Sequence, residues 1–355
     1  ALLTALGSPL NAQQNPETEF RERIQVTEVL LDVLVTDPSG NVILGLDKDD
    51  FVVEVEGQPV ELNSATFYSN RRLLDSGLLP ESAGVSPGDV PVDRYFILFF
   101  HDQRPEDPSL TGQFLDALRW AQKWVDEAIL PNDYVAVASY DHKLELHQDL
   151  TNNRSALKEA LKAVAKGRDP GSNWPSRQAG GPGPSRRRNL PHGRHLSRQT
   201  RRIYSGLETL AEAAGYITGR KNLLFFSVGF GRLNDFGTYL PDERYYPPMM
   251  EILNDNNVAV YAISMFENLR DENPAQAVLG NVLSLLAADT GGRYYFNFVN
   301  FQEPLQKVVD DNSGYYLLSF SAEHPLGERG YREVEVATRN PVFKLRARKG
   351  YRYGT

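Results

Sequence analysis

The run RYFILFFHDQRPED, residues 94–107, is an apolar strand that stops on His101 and Asp102, the position where α/β domains commonly set their chemistry. An imidazole beside a carboxylate is raw material for general-base catalysis. The base also needs an orienting partner and a nucleophile or water within reach. Adjacent residues on a strand point to opposite faces, so the ordinary use of such a pair is to cap the next helix or bind backbone amides. A hydroxyl, Ser227, closes the apolar run NLLFFSVGF, but Phe225 stands two before it, so no Gly-x-Ser-x-Gly elbow is formed. No Gly-x-Gly-x-x-Gly follows the first strand, which counts against a dinucleotide site. His142, His147, His192, His195 and His324 show no zinc-type spacing with carboxylates. The chain has no cysteine, which removes disulfides, thiolate metal sites and a cysteine nucleophile.

Arginine is the other concentrated chemistry. Nine arginines between positions 168 and 202, among them Arg186, Arg187, Arg188, Arg201 and Arg202, face a single acid, Asp169. Two uses are open. The segment 167–199, rich in Gly, Pro and Arg, buries too little to offset its ordering entropy and reads as a mobile, solvated loop. Its planar guanidinium forks also suit carboxylates, phosphates and sulfated glycans, which makes it an anion-binding arm.

The elements that would position these groups follow from periodicity. At 355 residues with 41% hydrophobic content, the chain has room for one large and one small domain. A net charge of -8 argues against coating nucleic acid, and no apolar run reaches the length of a membrane span. Residues 1–20, beginning ALLTALGSPLNAQ, read as the tail of a secretory signal peptide or as an N-terminal arm. Residues 21–70 hold strands only: the alternating IQVTEVLLDVLVT, a turn at 37–41, a resumed strand at 42–44, then FVVEVEGQPVEL. Positions 71–93 form a linker.

From 94 to 312 strands alternate with helices, the pattern of a doubly wound parallel sheet covered on both faces, with about six βα units. Helices are predicted over 108–130, 153–166, 204–217, 249–256, 275–288 and 302–311. Residues 313–355 return to strands, YYLLSFSAE, REVEVATR and FKLRARKGY. Joining these with the N-terminal strands in one small antiparallel β-sandwich, with the α/β domain inserted between them, removes the open edges that either half would leave. The paired tyrosines, such as Tyr245-Tyr246 and Tyr315-Tyr316, read as strand packing with interface use left open.

Five segments, in this order, carry a resemblance: VLLDVLVTDPSGNVILGLDKDDFVVEVEG, LPNDYVAVASYDHKLELHQDLTNNRSALKEAL, GRKNLLFFSVGF, LAADTGGRYYFN and RARKGYRY. Together they resemble the von Willebrand factor A-related proteins of the acidobacterial type, over nearly the whole chain after Glu17. The resemblance implies an A-type α/β domain acting as a ligand-binding module in an exported protein. In metal-binding A domains the first strand ends in Asp-x-Ser-x-Ser, and Mg²⁺ takes near-octahedral oxygen coordination from these residues, a threonine and a second aspartate. Those first positions fall here on His101, Gln103 and Pro105, or, one residue on, on Asp102, Arg104 and Glu106. The aspartate expected after Ser227 is Val228, and Thr200 stands one residue out of place beside Arg201 and Arg202. The resemblance therefore implies a lost Mg²⁺ or Ca²⁺ site, with Asp102 and either Ser227 or Thr200 as its remnant.

The function expected is non-enzymatic binding of a protein or anionic glycan partner, without nucleic acid and without a cofactor. His101, Asp102, Gln103, Thr200 and Ser227 would line the surface, with Arg186, Arg187 and Arg188 above it. The setting would be periplasm, cell surface or extracellular space. Two other readings stand beside it. One is an assembly subunit forming homo-oligomers through sandwich edges and the N-terminal arm. The other is a metal-dependent adhesion module with a rebuilt site.

Overall fold

The fold is built from sixteen strands and seven α-helices among residues 24–69, 93–167, 193–215, 217, 219–235, 237–265 and 281–354, which the computed structural model describes. The N-terminal strands are β1 (Ile24–Thr36), β2 (Phe51–Val55), β3 (Gln58–Val60) and β4 (Leu62–Ser69). The middle of the chain supplies β5 (Arg94–His101), β6 (Asp133–Tyr140), β7 (Leu144–Thr151) and β8 (Lys221–Ser227). A two-residue hairpin, β9 (Arg232–Leu233) and β10 (Tyr239–Leu240), precedes β11 (Val258–Ser264) and β12 (Arg293–Tyr295). The last strands are β13 (Gly314–Pro325), β14 (Gly330–Thr338), β15 (Lys344–Arg346) and β16 (Gly350–Tyr353).

The central sheet runs β12-β11-β8-β5-β6-β7. Five of its strands are parallel and β7 pairs antiparallel with β6. This corrects the all-parallel reading. Only Asp141, His142 and Lys143 separate β6 from β7, too short a connection for a parallel crossover. The next parallel strand, β8, then lands on the other side of β5, so strand order reverses between β5 and β8. In an open α/β sheet that reversal opens a crevice beyond the carboxyl ends of the two strands.

Burial of every residue in β8 and β11 reflects helices on both faces. One face packs Ile97, Phe99 and Phe225 against α4 (Ile203–Ala214), α5 (Tyr246–Asp255) and α6 (Val282–Asp289). The other packs Phe96, Phe100 and Phe226 against α1 (Thr111–Glu127), α2 (Arg154–Ala165) and α7 (Gln302–Asp311). A single helical turn and a half, α3 (Arg194–Gln199), leads into α4. The predicted helix at 108–130 begins instead as a 3₁₀ turn at Pro108–Leu110, capped by Asp107, and becomes α-helical at Thr111. At the sheet's opposite end Arg94 forks Asp133 (2.6 and 2.7 Å) and donates to the Asn312 carbonyl, fastening β5 to β6 and to the end of α7.

The outer strands form two four-stranded antiparallel sheets, β15-β1-β13-β4 and β16-β14-β2-β3. Strands from the two ends of the chain pair directly, β1 with β13 and β2 with β14, around one core that includes Leu31, Val33, Val53, Tyr316 and Phe320. The predicted strand at 42–44 is reduced to one bridge, Thr36 to Val42, because Asp37 folds the chain back by accepting from Asn41 N and Nδ2, both at 2.8 Å. The terminal run KLRARKGYRY stitches these sheets to the central one. Arg346 meets Asp311 (2.8 Å), Lys349 meets Asp289 (2.8 Å), and Arg348 donates to the carbonyls of Leu30 and Asn254.

Candidate functional site

The reversal between β5 and β8 brings His101 and Ser227 together. His101 Nδ1 lies 2.9 Å from Ser227 Oγ, and the imidazole stacks on Phe225 and meets Tyr140 edge-on. Burial of the ring, 7% exposed, drives its pKa down to about 3, against a small opposing pull from Asp102 and Asp141. His101 is therefore neutral across the ordinary pH range. Ser227 is fully buried, and its hydroxyl also accepts from Gly229 N at 3.0 Å.

Gln103, from the loop after β5, clamps the loop after β8. Its Oε1 accepts from Val228 N (3.1 Å) and its Nε2 donates to the Gly229 carbonyl (3.1 Å). That loop, Val228 to Gly231, passes under the β9-β10 hairpin with no room to spare. Gly229 has φ +127°, and a Cβ there would sit 2.4 Å from the Tyr239 ring; Gly231 is equally confined, by the Leu240 carbonyl.

The other expected site residues are elsewhere. Asp102 points to the α1–α2 face, where Arg104 forks it (2.6 and 2.8 Å) and itself lies over Phe114 at 4.0 Å while reaching the Ala165 carbonyl. Thr200 is fully buried and uses its hydroxyl to donate to Leu196 O and to accept from Leu144 N, which ties α3 to β7. Arg186, Arg187 and Arg188, the rest of 168–192, and the N-terminal residues 1–20 lie outside the described residues.

Above His101 and Gln103 opens a cleft of about 820 Å³. Its walls carry Tyr140, Tyr204, Tyr239, Tyr245 and Phe230, and its charged groups are Arg201, Arg202, Arg232 and Arg244 with Glu106, Asp141 and Asp242. Arg244 is paired with Asp242 at 3.0 Å, and Asp141 lies against His142. Arg202 and Arg244 both lie against the Tyr245 ring, at 4.7 and 5.2 Å. Arg201, Arg202 and Arg232 are exposed and have no ion pair among the described residues. Tyr204 holds the hairpin's exit by accepting from Asp242 N at 2.9 Å.

Sequence reasoning did not reach Arg232, Arg244 or the walls at Tyr140, Tyr204 and Tyr239; it did single out Tyr245-Tyr246, but as strand packing, and the structure corrects this, with Tyr245 the N-cap of α5 and Tyr246 its first residue. Arg232 lies in GFGRLND, on the exposed strand β9, and Arg244 in PDERYY, which runs into the first residue of α5.

The donors do not fit a divalent cation. Gln103 Oε1 is spent on a backbone amide, Ser227 Oγ on His101 and Gly229, Asp102 on Arg104, and Thr200 on α3 and β7. Among the described residues no group of three His, Asp or Glu is arranged to hold a metal ion.

No sequence-family model matches the chain, and no curated protein matches it. Solved structures align with it at low similarity. One is the human COPII-coat protein Sec24c, at 10% identity and TM-score 0.38, covering 74% of this chain and 44% of that one. A second is the conserved hypothetical protein BatB from Bacteroides thetaiotaomicron, at 13% identity and TM-score 0.35, covering 61% and 96%. A third is the manganese-loaded TRAP protein of Plasmodium vivax, at 8% identity and TM-score 0.37, covering 72% and 93%. The chain thus spans under half the length of Sec24c.

Proposed function

We propose that this chain is an exported, non-enzymatic interaction protein, a von Willebrand A-type α/β domain set into a small antiparallel β-sandwich. It binds a partner that presents anionic groups through the cleft at the carboxyl ends of β5 and β8. The observation that carries the reading is the closure of His101 on Ser227 at 2.9 Å beneath a cleft edged by Arg201, Arg202 and Arg232, which have no ion pair among the described residues.

That closure argues against catalysis. A base whose pKa is about 3 takes no proton near neutrality, and among the described residues no carboxylate lies within hydrogen-bond distance of the His101 ring to orient it. It argues against metal-dependent adhesion as well, since the oxygen donors are bonded to protein. Recognition is left to charge and shape, for which exposed guanidinium groups and tyrosine faces are suited. Export rests on the small, apolar composition of residues 1–13 alone. Among the described residues no helix is long and apolar enough to cross a membrane.

The test is a binding screen of acidic peptides and sulfated oligosaccharides by fluorescence anisotropy, with the variant R201E/R202E/R232E alongside. Binding by the wild type that weakens with added salt, disappears in the variant and survives EDTA is the expected result. A ligand bound equally by both proteins places recognition elsewhere on the molecule.

A further inference from the structure

Among the described strands that end a sheet and run longer than two residues, β15, β12, β7 and β16 each carry a charged side chain and β3 carries Pro59. β4, with the sequence LNSATFYS, carries neither, although it is as long as β7 and longer than the others. Charge and proline are the ordinary devices that keep an open edge from pairing with another chain. Without them β4 is free to pair.

The backbone groups it offers can be located. β15 pairs with β1 on the side away from β13, and Arg348, just after β15, donates to Leu30 O there. Even-numbered residues of β1 therefore turn their backbone outward, and odd-numbered ones bond to β13. The registers Val33↔Tyr316 and Leu317↔Thr66 carry this alternation across β13. Thr66 and Tyr68 bond to β13, while Ala65 and Phe67 direct their N–H and C=O groups off the sheet. Among the described residues no hydrogen bond reaches those groups. The 3₁₀ turn Lys48–Asp50 lies beside β4 but bonds to Asp47 and Arg339 instead.

The side chains of this edge complement themselves about a two-fold axis at Thr66. In that antiparallel register Ala65 faces Phe67 of a second copy, Thr66 faces Thr66 and Ser64 faces Tyr68. Opposed threonines are a favourable cross-strand pair, and no charge meets a like charge. Phe67 is half-buried at the rim of the sandwich core, its ring 5.0 Å from that of Tyr316, and a small residue opposite gives it both room and cover. Moving the axis to Ala65 sets Phe67 against Asn63, and moving it to Phe67 shortens the shared ladder.

We propose that β4 is an isologous dimer interface: two copies of this chain pair antiparallel through β4 about Thr66, joining their four-stranded sheets into one. The contact uses none of the cleft residues and does not depend on the anion-binding reading.

The test is sedimentation velocity of the full chain over a concentration series, with T66K and A65P alongside. A reversible monomer–dimer equilibrium is expected, weakened at least about tenfold in T66K, which sets like charges opposite each other. A65P should weaken it as well, because it removes an outward N–H and no bond to β13. Near-ultraviolet circular dichroism matching the wild type shows that both variants are folded. The chain has no cysteine, so a single introduced thiol reads the register without weakening the contact. Facing residues that share no hydrogen bond have Cα atoms about 4.5 Å apart, within disulfide reach. T66C is expected to oxidise to a covalent dimer, and S64C, which faces Tyr68 and not its own copy, is expected to stay monomeric under the same oxidant. A monomer throughout the series, a dimer that T66K and A65P leave at full strength, polymers beyond the dimer, or S64C cross-linking as readily as T66C each overturns the proposal.

Discussion

His101 and Asp102 are consecutive on the chain and serve opposite faces of the sheet. The imidazole meets Ser227 and Phe225 on one side, and the carboxylate is forked by Arg104 above Phe114 on the other. Strand geometry alone separates them, because successive side chains alternate across a pleat. The separation gives them different partners, with only the electrostatic pull of Asp102 on the imidazole between them. D102N leaves Arg104 half-buried without a full counter-charge, and a loss of about 1–3 kcal/mol in urea unfolding is expected. Affinity of the cleft for its anionic ligand should not move. A D102N protein that folds as stably as wild type but binds tenfold worse would show that Asp102 acts in the cleft after all.

The neutral state of His101 has a signature in stability. Its folded pKa, about 3, lies below the ordinary value of 6.5, so between those limits the unfolded chain binds more protons than the folded one. The stabilisation is complete above about pH 6.5 and is lost as pH falls toward 3, with a slope on the order of 1 kcal/mol per unit. Subtracting the profile of H101Q removes the carboxylate background. A difference that is flat from pH 6.5 to 4 would mean the ring is protonated or solvated in the fold.

Removal of divalent metal should be silent. With Gln103, Ser227, Thr200 and Asp102 all bonded to protein, neither EDTA nor millimolar Mg²⁺ or Ca²⁺ is expected to shift the melting temperature by more than about 1 °C. A stabilisation that saturates with Mg²⁺, and that D102N or S227A abolishes, would restore the adhesion-type site.

Much of the architecture was legible because burial imposes pattern. YFILFF and VAVYAIS are apolar on both faces, and only a sheet covered by helices on both sides uses such strands. The helix at 302–311 matches its predicted bounds because Leu305, Val308 and Val309 keep the 3.6-residue period to its end. β7 was missed because LELHQDLT lies inside a longer polar stretch and its register against β6 is broken by irregularities. Within the site, the convergence of His101 with Ser227 depends on β5 and β8 being neighbours. No local pattern in either strand encodes that adjacency. The meeting of Tyr204 with Tyr245 was illegible for the same reason, since Tyr204 sits on α4 and Tyr245 just before α5, 41 residues on in sequence.

The pair Arg94–Asp133 anchors the end of the sheet opposite the cleft. Both side chains are almost fully buried, and Asp133 also accepts from Leu130 N. R94M should cost about 3–5 kcal/mol, because it strands a buried carboxylate, while R94M combined with D133N should recover a large part of that loss. Additivity of the two substitutions in a double-mutant cycle would mean that the charges are solvated and do not depend on one another.

Lys221, at the start of β8, sits in the polar seam between the central sheet and β1. It is 2% exposed, its ammonium donates to Ile217 O at 2.9 Å, Asp32 attracts it, and Arg348 opposes it. Burial dominates and lowers its pKa from 10.5 to about 8. From pH 8 to 10.5 the unfolded chain therefore holds the extra proton, and wild-type stability should gain on the order of 3 kcal/mol from this group as pH rises through that window. K221M carries no such proton. Its stability relative to wild type should be greatest below pH 8 and decline as the wild-type ammonium deprotonates. Urea unfolding of the two proteins across that range reads the difference directly. A constant gap between them would place the Lys221 ammonium in contact with water.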